Sequence, residues 1–352
     1  MLIYNSKNKF EIDGTTISSE DPCYIIAEIG INHNGDLSIA KNLIEVASEA
    51  GANAVKFQKR DLESIYQKEI LDNPTQDSQG TEILIDVLKE VEFGEKDFLE
   101  IQRFCEEKNI TLLCTPWDIP SVDFLEKLNV PGYKIASADL TNLPLISYIS
   151  NFKKPMIIST GMSTMNEIEK TVDFVKEKQV EFSLLHCNST YPSPVELLNL
   201  SLIPVLREKF DVPIGYSGHE SSVLPSLTAA NMGAVIVERH ITLDRKMKGI
   251  DQASSLEPDE FKKLIQNIRE SEKARGTPVK KMTRGEVLQR EVLGKSIICS
   301  KQISKGDVFS ENNVEIRTPA RGLSPQYFFE LIGKNSKRDI EKGDYIQKED
   351  LI

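Results

Sequence analysis

Histidine is scarce in this 352-residue chain, with four copies, and tryptophan occurs once. The five cysteines, Cys23, Cys105, Cys114, Cys187 and Cys299, are odd in number and widely spaced, with no CxxC pair. That spacing excludes a thiolate zinc site and a disulfide framework, so reduced thiols in a cytoplasm are expected. No apolar run approaches membrane-spanning length, and residues 1–20 scatter charge without an apolar core. Secretion and membrane insertion are therefore not expected. Basic residues are the minority, 43 Lys and Arg against 54 Asp and Glu, for a net charge of −11. The two signs are interleaved, which leaves no basic stripe for nucleic acid. An anionic substrate must then be held by a locally positive pocket.

What is present is a globular composition, 39% hydrophobic and 28% charged, in a chain long enough for one large domain and a small one. Eight β-type runs, at 23–32, 54–60, 110–117, 132–139, 155–162, 182–190, 212–220 and 234–241, alternate with amphipathic helical stretches such as 37–50, 165–178 and 197–210. The last of these is interrupted by Pro204. Alternation of strand and helix predicts a parallel sheet, and eight such units match one (β/α)8 barrel. In each run the apolar part comes first and polar groups collect at the C-terminal end, where barrels carry active sites. Residues 10–17, FEIDGTTI, predict a hairpin across the barrel bottom. The polar stretch 276–290 reads as a linker, which assigns 1–275 to the barrel and 291–352 to a small β-rich domain. That domain echoes itself, ISKGDVFSENNV (303–314) against IEKGDYIQKEDL (340–351).

All four histidines, His33, His186, His219 and His240, fall at or near strand ends. His219 follows strand seven and His240 ends strand eight, so a closed barrel would bring them together at its mouth. Two hydrogen-bonded rim histidines are one reading. The other is a metal site with open positions, which suits Mn²⁺, or else Co²⁺ or Mg²⁺, better than structural Zn²⁺. Lys56 and Lys134 are embedded in apolar strand sequence, where burial demands a carboxylate partner such as Glu28 or Asp139, or an anionic ligand. Hydroxyls at Thr115, Ser137, Ser159 and Ser217 add donors suited to a phosphate. Glu28, Asp139, Glu238 and Asp251 offer general acid or base groups, sugar-hydroxyl acceptors, or simple ion-pair partners.

The motifs AEIGINHNGDLSIAK (27–41), AVKFQK (54–59), YKIASAD (133–139), STGMST (159–164), LLHCNSTYPSP (184–194), IGYSGHE (214–220), VIVERHITLD (235–244) and KGIDQASSLEPDEF (248–261) resemble the sialic acid synthase family, and the tail is similar to its antifreeze-protein-like (SAF) domain. The resemblance implies a transferase that joins C3 of phosphoenolpyruvate to the C1 aldehyde of an open-chain N-acetylhexosamine. The sugar would be N-acetylmannosamine or its 6-phosphate, and the metal would polarise the aldehyde. A 2,4-diacetamido-6-deoxy sugar leading to legionaminic acid is the alternative.

The family pattern places His219 and His240 on the metal and Lys56, Thr115, Lys134, Ser137, Ser159, Ser189 and Ser217 on phosphoenolpyruvate. It places Gln58, Asp139, Tyr191 and Asp251 on the sugar, with Glu28, Asp139 and Glu238 as the acidic catalytic candidates. Ser189 stands where many bacterial members have Asn, and Asp139 where many have Glu. Ser217-Gly218-His219 looks closer to the animal enzymes, which favour a phosphorylated sugar. The resemblance also implies a domain-swapped homodimer whose tail offers an arginine to the partner's sugar site. That position is Thr318 here, flanked by Arg317 and Arg321. Two other readings stay open: a metal-free aldolase with Lys134 as Schiff-base nucleophile, and an ice- or carbohydrate-binding module on an inert barrel.

Overall fold

The computed structural model describes residues 9–72 and 81–351. The chain divides into two compact units, Met1–Gly276 and Thr277–Ile352. The first begins with a hairpin of β1 (Phe10–Ile12) and β2 (Thr15–Ile17), paired antiparallel. Eight parallel strands follow: β3 (Tyr24–Gly30), β4 (Ala54–Lys59), β5 (Thr111–Pro116), β6 (Tyr133–Ile135), β7 (Met156–Ser159), β8 (Phe182–Cys187), β9 (Ile214–Gly218) and β10 (Ile236–His240). They close into a barrel in which β10 pairs with β3. Each of the eight predicted runs supplies one strand.

Period-two alternation sorts the strand residues into two layers. Ile25, Ala27, Ile29, Val55, Phe57, Tyr133, Ile135, Ile158 and Val237 pack outward against the helices in the main core. The intervening Tyr24, Ile26, Ala54, Leu113, Ile157 and Ile236 turn inward and share a second cluster with Phe10, Ile12 and Ile17 of the hairpin. The hairpin thus seals the end where the strands begin. Continuing the inward positions by two residues brings Glu28 after Ile26, Lys56 after Ala54, Thr115 after Leu113, Ser159 after Ile157 and Glu238 after Ile236. One apolar layer therefore supports one polar layer, and the sequence alternation dictates both.

The outer helices follow their patterning. Leu37–Ala50 is capped by Asp36, which accepts from the backbone N–H groups of Ser38 and Ile39, and ends at Gly51 with φ 90°. The stretch 197–210 departs from expectation. Its helix runs only over Leu202–Phe210, after a 3-10 turn at Val195–Leu197, so Pro204 lies in the first turn, where its missing N–H breaks no intrahelical bond.

In the second unit β11 (Ser296–Cys299) pairs antiparallel with β12 (Val314–Arg317) over a core that includes Ile297, Phe309, Val314, Leu331 and Ile346. The internal echo is structural. Ile303 and Ile340 bridge each other antiparallel, and the glycines of the two Lys-Gly-Asp turns, Gly306 and Gly343, have φ of 92° and 93°. The stretch 276–290 read as a linker includes the start of a helix, Arg284–Leu293, begun by a capping box between Thr283 and Glu286. The five cysteines are free and buried. Among the described residues, no helix is long and apolar enough to cross a membrane.

Candidate active site at the barrel mouth

The ladder registers set the site. Glu28 lies opposite Lys56 on one side and His240 on the other, and Glu238 lies opposite Ser217. Glu28, Lys56, Gln58, Thr115, Lys134, Ser137, Ser159, Ser189, Tyr191, Ser217, His219, Glu238 and His240 all line one open cavity of about 700 Å³ at the strands' C-terminal ends.

Two buried lysines face two buried glutamates, and they are not equivalent. Lys56 Nζ donates to Thr115 Oγ1 at 3.0 Å, with Glu28 Oε2 at 3.0 Å and Glu238 Oε2 at 4.0 Å. Burial opposes its charge, but the two carboxylates outweigh that and raise its pKa. Lys134 Nζ donates to Ser159 Oγ at 2.5 Å and to the Ile135 carbonyl at 3.2 Å, while its carboxylate neighbour, Glu238 Oε1, is 3.7 Å away. Burial wins there and lowers its pKa. Lys56 thus has the internal partner expected of a buried cation, and Lys134 lacks a carboxylate at hydrogen-bond distance.

The glutamates diverge for the same reasons. Burial pushes Glu28 up to about 7, beyond what Lys56 and the Gln58 amide offset. At Glu238 burial is overcome by Lys134 and Lys56, together with the Ser217 hydroxyl at 2.9 Å, and the carboxyl is held well below its usual range. The same polar layer thus holds one carboxyl pushed up by burial and one held down by two lysines.

Gly161 makes room beside this layer. A Cβ there would lie 2.2 Å from Ser189 Oγ and 2.8 Å from both Cys187 Sγ and Ser137 Oγ. Its N–H donates to Ser137 Oγ at 3.1 Å. Only glycine leaves the pocket between these hydroxyls open.

The ring centroids of His219 and His240 are 5.5 Å apart, with Tyr191 at 4.1 Å from the first and 6.0 Å from the second. His219 Nδ1 is 2.7 Å from the Asn188 carbonyl, to which it can only donate, so the lone pair falls on Nε2. Burial drives His219 down to about 3 and also lowers His240, which keeps both rings neutral. His240 Nδ1 is buried without a hydrogen-bond partner, with Asp251 Oδ2 4.0 Å away. Neutral imidazoles with an available lone pair and an orphaned ring nitrogen fit a divalent cation. Among the described residues no third His, Cys, Asp or Glu completes a metal-holding group, so any remaining positions fall to water and substrate oxygen.

A buried network is built from residues next in sequence to both histidines. Glu220, next to His219, accepts from Tyr216 Oη at 2.8 Å, from Ser226 Oγ at 2.9 Å and from Arg239 Nη1 at 3.0 Å, and Arg239 adjoins His240. A Cβ at Gly218 would come within 2.9 Å of Tyr216, Glu220 and Arg239, so this glycine leaves room for the pair.

The other predicted residues are placed differently. Asp251 lines an adjoining compartment with Gln58 and Tyr191. Asp139 lines neither; it is buried in a 3-10 turn and accepts from Asn142. His33 stacks on Phe93 at 4.0 Å and His186 is 2.7 Å from the Leu198 carbonyl, so both are structural. Arg317 and Arg321 are exposed in the second unit. Sequence reading passed over Arg60 and Trp117, which line the adjoining compartment. Both stand at strand ends, the signal that identified the rest.

Relatives match along nearly the full chain. It is 37% identical to the N-acetylneuraminate-9-phosphate synthase of Homo sapiens, over 96% of this chain and 94% of that one. It is 36% identical to the N,N'-diacetyllegionaminic acid synthase of Campylobacter jejuni, over 92% and 98%. The crystal structure of an N-acetylneuraminic acid synthetase from Leptospira borgpetersenii superposes with a TM-score of 0.71 at 34% identity, over 80% of this chain and 94% of that one. Residues 43–280 match the NeuB family and residues 294–352 the SAF domain, and the chain belongs to that family of sialic acid synthases.

Proposed function

We propose that this chain condenses phosphoenolpyruvate with an open-chain N-acetylated hexosamine, giving a nine-carbon 2-keto sugar acid and phosphate. The observation that carries the reading is Lys134. It is 2% exposed, lines the cavity and has no carboxylate at hydrogen-bond distance. A buried ammonium in that position is stabilised by an anion entering the cavity. Lys56 and the hydroxyls of Thr115, Ser137, Ser159, Ser189 and Ser217 surround the same space and supply the donors a phosphate and a carboxylate need.

In this reading C3 of phosphoenolpyruvate forms a bond to the sugar's C1, and the aldehyde oxygen takes a proton to become a hydroxyl. C2 is left cationic, opposite ionised Glu238. Water adds to C2 and gives up a proton, for which Glu28, its carboxyl pushed up by burial, is the acceptor. The C2–O bond then breaks as the new C2 hydroxyl passes its proton to the departing bridging oxygen, so phosphate leaves with that oxygen and C2 becomes the ketone. His219 and His240 would hold a divalent ion, Mn²⁺ before Co²⁺ or Mg²⁺, which when bound supplies Lewis acidity to the aldehyde oxygen. A homodimer in which each C-terminal domain caps its partner's barrel belongs to the same proposal, with Arg317 and Arg321 as the cations it offers.

Lys134→Ala tests the anion cradle. Losing a charge-assisted bond of ~1.5–3 kcal/mol raises the phosphoenolpyruvate KM roughly ten- to hundredfold. Mn²⁺ affinity, measured by titration calorimetry, stays unchanged. An unaltered phosphoenolpyruvate response, with only the sugar response shifted, would move the lysine to another role.

A further inference from the structure

The adjoining compartment, of about 580 Å³, shares Gln58, Trp117, Tyr191 and His240 with the mouth cavity. A sugar whose aldehyde meets the histidine pair would extend its far end into this space. The walls there are mostly apolar: Ile31, Tyr66, Leu88, Trp117 and Ile250.

Among the described residues its lining cation is Arg60, 8% exposed. The guanidinium lies 4.3 Å from the Trp117 ring centroid and Nη2 donates to Gln58 Oε1, while Nη1 has no hydrogen-bond partner and lies 3.7 Å from Glu92 Oε1. Glu92 also holds Lys59 at 3.0 Å. Arg60 and Lys59 are balanced by Glu92 and by Asp251, which lines the compartment itself. The four formal charges cancel.

Against the barrel's own described residues, a dianionic group entering here would lose hydration without meeting net positive charge, and would lie beside Asp251. The mouth cavity, by contrast, offers an anion two lysines and several hydroxyls. Apolar walls with a buried arginine and the orphaned Trp117 Nε1 donor suit carbonyl oxygens and methyl groups.

We infer that the second compartment receives an uncharged sugar terminus, bearing hydroxyl, deoxy or N-acyl groups, and that the chain selects an unphosphorylated sugar. This rests on the synthase reading, and the test separates the two. Phosphate release is followed with phosphoenolpyruvate, Mn²⁺ and, in turn, N-acetylmannosamine, its 6-phosphate and a 2,4-diacetamido-6-deoxy hexose. One of the two uncharged sugars is expected to exceed the 6-phosphate in kcat/KM by at least about tenfold. Equal or better use of the 6-phosphate overturns the inference and leaves the synthase reading standing. Turnover of none of the three sinks both. Glu92→Gln adds a control on the cause: removing that charge narrows the discrimination at least about threefold. An unchanged ratio would remove charge balance as its origin.

Discussion

Replacing His219 or His240 with alanine lowers turnover at least about a hundredfold while leaving the barrel folded, as expected when Lewis-acid polarisation is lost. Both rings stand at the open end of the barrel, above a polar layer that is itself supported by the apolar cluster around Ile26, Ala54 and Ile236. Truncating a ring at that rim opens space that water can enter, so the folding cost is modest. The chemical cost is large, because among the described residues no third His, Cys, Asp or Glu joins the pair to substitute. Steady-state phosphate release and calorimetric Mn²⁺ titration measure the two effects together. A folded variant with a near-normal rate would exclude the histidine pair from the reaction.

Arg239→Met carries the largest expected effect on stability. The arginine is 1% exposed, and its Nη1 bonds Glu220 Oε1 at 3.0 Å, the Ser222 carbonyl at 3.0 Å and Ser226 Oγ at 2.9 Å. Removing it strands the fully buried Glu220 carboxylate. The loss is about 3–5 kcal/mol, the cost of breaking a buried pair from one side. For a chain of this size that lowers Tm by roughly 4–7 °C. Adding Glu220→Gln removes the stranded charge while keeping a partner for the Tyr216 and Ser226 hydroxyls, so the double variant recovers most of the loss. Thermal unfolding of the single and double variants decides it. A single variant losing less than about 1 kcal/mol would show that the pair is solvated in solution.

Much of this architecture is legible in the sequence because a barrel strand obeys a strict two-residue period. Once Ile26 is assigned inward, Glu28 must follow it, and the same step leads from Ala54 to Lys56 and from Ile236 to Glu238. Chain order along a closed barrel then brings His219 and His240 together without any contact being known. Elements whose outcome depends on tertiary surroundings were less legible. Pro204 reads as a break within a helix, yet it lies in a first turn because the chain begins that helix later. The helix Arg284–Leu293 sits in polar sequence that resembles a linker; its Thr283–Glu286 capping box was a local sign of its start.

Side-chain direction was least legible. Asp139 carries the right chemistry beside the right strand but belongs to a turn that faces Asn142. Arg60 reads as one more charged residue after Lys59, and only packing on Trp117 turns it into a wall of the second compartment. His33 and His186 show that a strand-end position does not suffice. His33 stacks on a phenylalanine ring and accepts from the Gly35 N–H, and His186 meets a backbone carbonyl; neither lines the cavity.

The central claim is that phosphoenolpyruvate carbon joins the sugar and that phosphate departs by cleavage of its C–O bond. Phosphoenolpyruvate labelled with ¹⁸O at the bridging oxygen, mixed with the enzyme, Mn²⁺ and an N-acetylated hexosamine, tests it directly. Mass spectrometry and ³¹P NMR are expected to find the label in the released phosphate, together with one keto acid containing all carbons of both substrates. Unlabelled phosphate, or labelled phosphate accompanied by free pyruvate and unchanged sugar, would contradict it.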